Sequence, residues 1–182
     1  LLGIAYKKLT CYQDQAYGDL LLSRLKFVKE DPEICEELVK ELSHFMAYED
    51  IIRVAELKIE TARFQKIRLE HGIEKEDCFE IEDFFKPGIS EVIDILPAFL
   101  GKKATLKITK SGKVKKPRCS MILKSTSISG FIALLILAKF KRWRRGTYRF
   151  KETAKFIEDW LANVRVAFDK DRRLAREIIK LG

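Results

Sequence analysis

Eight consecutive apolar residues, Phe131 to Ala138 in the stretch GFIALLILAKFKRWRRGTYRF, run straight into Lys139, Lys141, Arg142, Arg144 and Arg145. Such a stretch reads as a membrane anchor with a basic flank, a nucleic-acid grip, or a core helix that ends at a charged surface. Spanning a bilayer takes about 20 mostly apolar residues, and Lys139 interrupts after eight, so the anchor fails on length. The remaining pattern is helical. Ile128, Ile132, Leu135, Ile136, Phe140 and Trp143 fall on one broad face, which predicts that this face is buried. Ser127 or Ser129 is placed to cap its start, and the cations of its last turns complement the negative end of the helix dipole. On this reading the helix buries its apolar half and delivers Arg144 and Arg145 to a surface.

Helical spacing dominates elsewhere too. Ala16, Leu20, Leu21, Leu25 and Val28 predict a helix over about 10–29, and Asp31 followed by Pro32 is a cap and first-turn signal for the next. That second helix lines up Ile34, Leu38, Leu42, Phe45 and Met46; a further pattern runs from Tyr48 to His71, where Gly72 stops it. Whether the chain breaks between Met46 and Asp50 is left open by the pattern. The acidic, aromatic stretch 74–88 reads as a connection, followed by a short helix from Ser90 to Leu96 that ends at Pro97. A last helix spans about 152–181 along Trp160, Leu161, Val164, Ala167, Phe168, Leu174, Ala175, Ile178 and Leu181, with Asp171 marking a local break or exposed point on the seam.

One segment changes period. ATLKITKSGKVKKPRCSMIL alternates polar and apolar residues around Ser111–Gly112, which predicts a β-hairpin over about 104–123 with Pro117 weakening its second arm. The fold class expected is therefore mainly α, a single helical domain over 1–182 with one small β-hairpin insertion. A chain of 182 residues is long enough for one domain with its own core. It opens on Leu1 rather than Met, which reads as a fragment of a longer chain, and no stretch resembles a signal peptide.

Charge is segregated along the chain. Sixteen of the 36 lysines and arginines lie between Ile95 and Lys151, where there is no Asp or Glu, leaving twenty cations against 27 acids elsewhere. A basic segment set against an acidic body suits nucleic acid, an anionic membrane surface, an acidic protein partner, or neutralisation within one fold. The candidate anion- or partner-binding residues are Lys113, Lys115 and Lys116 in the hairpin, with Lys141, Arg142, Arg144 and Arg145 at the helix end. Phe140, Trp143, Tyr148 and Phe150 are interleaved with the second group, as in single-strand binders.

Catalytic signals are missing. Cys11, Cys35, Cys78 and Cys119 are too far apart to make a zinc or iron–sulfur motif, and His44 and His71 stand alone, so no metal site is expected. Thiols without a compact pattern read as reduced, in a cytoplasmic protein. No Gly-rich phosphate loop, nucleophile elbow, HExxH or EF-hand pattern occurs, and no catalytic residue is assigned.

Four segments, in order, resemble the C-terminal domain of the indolepyruvate ferredoxin oxidoreductase family. Tyr12, Gln13, Asp14, Ala16 and Tyr17 match its opening YQD-x-AY helix; Met46, Ala47, Tyr48, Asp50, Val54, Ala55 and Leu57 match a pattern close to KLMAYKDEYEVARL. Leu96, Pro97 and Leu100 match HLAPPLL, and Leu137, Ala138, Lys141, Arg145, Gly146, Thr147 and Phe150 match LA-x-LK-x-LRGT-x-x-D-x-F, without its Asp. The resemblance implies a 2-oxoacid:ferredoxin oxidoreductase of the beta-subunit type. That family decarboxylates aryl 2-oxoacids oxidatively with thiamine diphosphate, magnesium, coenzyme A and iron–sulfur clusters, and passes electrons to ferredoxin. Those groups belong to other domains or a partner subunit, so the resemblance implies a non-catalytic accessory domain. Its partners would be the other subunit or domain, and the basic segment would face acidic ferredoxin or the phosphates of coenzyme A. The alternatives that stay open are a nucleic-acid-binding module using 102–151 and a purely structural protein-interaction domain.

Overall fold

A computed structural model describes the chain except Lys75, 86–88, 112–120 and Gly182, and leaves the side chains of 89–90, 106–111 and 121 undescribed. Among the described residues it is mainly α, with one antiparallel pair of four-residue strands. No described helix is long and apolar enough to cross a membrane. Where one domain is expected, the chain divides into two compact units, one of 1–48 with 151–182 and the other of 49–150.

The first unit is all helix. α1 (Leu2–Tyr12) and α2 (Gln15–Arg24) replace the continuous helix expected over 10–29. The break falls at Gln13–Asp14 because Asp14 takes up extended backbone and accepts a hydrogen bond from the Tyr17 amide at 2.9 Å, a cap that competes with helix continuation. A 3-10 turn (Lys26–Val28) leads to α3 (Pro32–Met46), whose Asp31 cap and Pro32 first turn are as the sequence predicts. α9 (Tyr148–Lys170) and α10 (Arg172–Lys180) divide at Asp171, which caps α10 from the seam position where an apolar residue was missing.

Leu9, Leu21, Ile34, Leu38, Leu42, Leu161, Val164 and Ile179 form the buried interior of this unit. Phe45 meets Trp160 nearly edge-on at 5.2 Å between ring centres, and Arg176 of α10 is held at 2.7 Å by Glu37 of α3. That contact pulls the Glu37 carboxyl below its ordinary value.

The second unit opens with α4 (Ile51–Ile59), capped by Asp50, and α5 (Thr61–Glu70); the chain does break after Met46. Gly72 ends α5 at φ 63°, backbone that glycine adopts without the strain a Cβ would bring. Then come β1 (Glu82–Phe85), α6 (Ile89–Asp94), α7 (Ala98–Ser111), β2 (Met121–Lys124) and α8 (Ile128–Lys139), followed by a seven-residue 3-10 segment, Phe140–Gly146.

The hairpin is misplaced by the sequence reading. Its first arm lies in helix α7, and β2 instead pairs with β1, with Glu82 opposite Lys124 and Phe85 opposite Met121. Leu100, Ala104 and Ile108 recur at four-residue steps, so this stretch fits a helix as well as it fits alternation. The Thr105 hydroxyl bonds back to the Gly101 carbonyl at 2.9 Å, one helical turn earlier. The expected turn at Gly112 and the break at Pro117 lie outside the described residues.

α4 packs on α8 through Ala55, Leu134 and Ala138, with Ile59, Phe85, Leu123 and Leu137 against them. Here the predicted burial of α8 is reversed. Ile128 is 83% exposed, Ile136 56% and Trp143 67%, while Leu134 and Ala138 are buried. From 131 to 138 every residue is apolar, so periodicity within the run cannot say which side meets the core.

Candidate functional site

The site is built where α8 passes into the 3-10 segment. In 3-10 geometry residues three apart eclipse one another. Phe140 and Trp143 therefore share one side, with ring centres 6.1 Å apart and planes at 77°, while Lys141 and Arg144 share another.

The Lys141 and Arg144 side faces α4. Arg144 is 0% exposed, and its Nε donates to Asp50 Oδ2 at 2.8 Å. Its Nη2 reaches Asp50 Oδ1 at 3.3 Å and Glu56 Oε2 at 3.2 Å. Glu56 also meets Lys141 Nζ at 3.4 Å and Arg53 Nη1 at 3.5 Å. Asp50 has a second task, since its Oδ1 accepts the Arg53 amide at 2.6 Å and so caps α4. Burying the guanidinium requires this set of acceptors, because a desolvated charge left alone is costly by several kcal/mol.

Arg144 is therefore not an anion-facing surface residue, and Lys141 is committed to Glu56. Their cations neutralise acids of the same unit. Arg142 and Arg145 are exposed, and Arg142 has no ion-pair partner among the described residues. Lys113, Lys115 and Lys116 lie outside the described residues.

The Phe140 and Trp143 side borders a cavity of about 630 Å³. Ile52 and Leu137 line it from α4 and α8, and Ile95, Leu96 and Pro97 line it from the α6–α7 junction. Phe140, Trp143 and Gly146 close another wall, with Arg142 supplying the one charged side chain among the described residues that line it. Pro97 and Thr147 form an isolated antiparallel bridge, and the Tyr148 amide donates to the Leu96 carbonyl at 2.9 Å, so the junction is tied to the end of the 3-10 segment. Gly101 makes this approach feasible: a Cβ there would come within 2.3 Å of Tyr148 Cβ. Nothing in the sequence marks this cavity, because the helical spacing of Phe140 and Trp143 predicts them in the core.

The family-motif residues work mainly as joints. The Tyr17 hydroxyl donates to the Met46 carbonyl at 3.0 Å, and the Tyr12 ring packs edge-on against Tyr48 at 6.0 Å. Asp14 and Asp50 cap α2 and α4. The Thr147 hydroxyl donates to the Arg144 carbonyl at 2.7 Å and receives the Phe150 amide at 3.4 Å. Arg144 meets Asp50, and the Arg145 that aligns with the motif is its neighbour in the chain.

A second charged cluster anchors the strands. Asp83 on β1 accepts from Lys58 at 2.5 Å and from Arg63 at 3.0 and 3.2 Å. Burial works to raise the Asp83 carboxyl, but the bonds from Lys58 and Ser125 and the charges of Arg63 and Lys58 outweigh it and hold it below its ordinary value. Asp94 behaves oppositely: burial, with Glu91 and Asp50 nearby, pushes its carboxyl up despite Arg149.

Fold and site together define a helical module whose described residues offer a buried ion-pair network and an apolar cavity. The chain belongs to the family described as a family of unknown function (DUF6537), whose model matches residues 1–182. No curated protein and no solved structure matches it.

Proposed function

We propose that this chain is a non-catalytic assembly domain of a thiamine-diphosphate-dependent indolepyruvate-type 2-oxoacid:ferredoxin oxidoreductase subunit. The observation that carries an assembly role is the outward face of α8, where Ile128, Ile132, Leu135 and Ile136 stand exposed side by side and end at Lys139. A contiguous apolar face of this kind marks a protein–protein contact. The oxidoreductase context rests on the ordered resemblance of the Tyr12–Tyr17, Met46–Leu57, Leu96–Leu100 and Leu137–Thr147 segments.

Among the described residues no group of three or more His, Cys, Asp or Glu is placed to hold a metal ion. On this proposal thiamine diphosphate, magnesium and the clusters are held by other domains or a partner subunit. The nucleic-acid reading is not advanced, because Arg144 and Lys141 are consumed by Asp50 and Glu56.

The test is made on the full-length subunit with its partner subunit. Ile132→Glu with Ile136→Glu places two charges on an already exposed face, so the fold should survive while the subunits separate on size-exclusion chromatography. An unchanged complex with unchanged arylpyruvate-dependent ferredoxin reduction would sink the proposal. Neutralising Arg142 and Arg145 together tests the ferredoxin contact, and reduction rates that keep the same ionic-strength dependence would remove it.

A further inference from the structure

We propose that the cavity beside the 3-10 segment is a binding site for a small ring-bearing carboxylate, taken up with its ring against Phe140 and Trp143 and its carboxylate on Arg142. Three observations carry this independently of the oxidoreductase reading. A volume of about 630 Å³ lies within the usual range of small-molecule sites, roughly 300–1,000 Å³. The lining is almost wholly apolar, and its two largest side chains are aromatic and poorly covered, Trp143 being 67% and Phe140 45% exposed. Exposing two rings to water is unfavourable unless something else covers them.

The third observation is the charge. Of the cations on this segment, Arg144 is buried on Asp50 and Lys141 is paired with Glu56, whereas Arg142 lines the cavity without an ion-pair partner among the described residues. A guanidinium free to form a fork with a planar carboxylate selects that group over a neutral polar one. The edge-to-face pair of Phe140 and Trp143 gives the cavity an aromatic wall. A flat ring suits that wall better than a flexible alkyl chain, which would lose more rotational freedom on entering.

The experiment is calorimetric titration of the full-length protein with 2-naphthoate, with 2-naphthylmethanol and decanoate as comparison ligands. Expected are a dissociation constant on the order of 100 µM for 2-naphthoate and weaker binding of both comparison ligands. Arg142→Gln, at an exposed unpaired side chain, should leave the thermal midpoint unchanged and weaken 2-naphthoate binding about ten-fold. Trp143→Leu should weaken it by a similar factor, about ten-fold, while leaving decanoate unaffected. Absence of 2-naphthoate binding at millimolar concentration overturns the proposal, as does equal binding by wild type and Arg142→Gln. Decanoate binding as tightly as 2-naphthoate also overturns it, assigning the cavity to alkyl chains. Subunit separation is read from the α8 face and ring binding from Arg142 and Trp143, so either proposal can fail alone.

Discussion

Arg144 and Asp50, 94 residues apart in sequence, meet as a two-pronged ion pair inside the second unit, Nε to Oδ2 at 2.8 Å and Nη2 to Oδ1 at 3.3 Å. The same carboxylate caps α4, so a single Asp both starts a helix and receives the guanidinium that closes the 3-10 segment onto it.

Arg144→Leu should cost about 3–5 kcal/mol, because it leaves the Asp50 and Glu56 carboxylates buried without their main partner. Arg144→Lys keeps the charge but loses the fork, and should recover only part of that. Urea denaturation of the three proteins checks both statements, and the combination of Arg144→Leu with Asp50→Asn should lose less than the sum of the single changes.

Asp83 and Asp94 should respond to acid in opposite senses. The depressed Asp83 carboxyl contributes stability that is complete above its ordinary value of 3.8 and is lost as the pH falls through the lower folded value. The raised Asp94 carboxyl imposes a penalty that is absent below 3.8 and sets in as the pH rises through its higher folded value. Asp94→Asn should therefore raise the melting temperature at pH 7 and have no such effect near pH 3. Asp83→Asn should lower it at pH 7, with the difference shrinking below pH 3.8. Melting curves across pH 2.5–7 report both.

Gly130→Ala tests the entry to α8. A Cβ at this position would lie 2.1 Å from the Lys124 carbonyl oxygen, a backbone atom that cannot swing aside. A loss of about 1–3 kcal/mol is expected. The Ser127 cap, which accepts the Gly130 amide at 3.1 Å, would be displaced with it. Gly146→Ala, where nothing lies within 4 Å of the added atom, is the matched control and should be nearly neutral.

Tyr17→Phe removes one buried hydroxyl and strands the Met46 carbonyl it serves. The expected cost is about 1–2 kcal/mol by denaturation, with no change in assembly of the full complex. A defect in assembly without a stability loss would assign Tyr17 a contact role instead.

Where a residue type carries its own local chemistry, sequence and structure agree. Asp31 with Pro32, Ser127, Gly72 and Asp171 mark helix ends through hydrogen bonds or backbone freedom that depend on near neighbours. Long-range choices were not legible. Nothing local tells Phe131–Ala138 that Leu134 and Ala138 face α4, since each side of the run is equally apolar. Nor does a basic WRRGT stretch announce that its first arginine turns inward, because Asp50 and Glu56 come from a helix far back in the chain. The strand Glu82–Phe85 was hidden among acids in a stretch read as a connection, so Met121–Lys124, which overlaps the expected second arm of the hairpin, was given the wrong partner.

The seven-residue 3-10 segment sorts its side chains into columns by threes: rings at 140 and 143, inward cations at 141 and 144. Exchanging one ring for another, or one cation for another, keeps each column intact. Adding a single residue ahead of Phe140 slides every side chain by a third of a turn and brings the two rings to the carboxylates of Asp50 and Glu56, whereas deleting one moves Arg144 into the ring column. The register of this segment is thus held more tightly than its composition, and its length is the dimension least open to change.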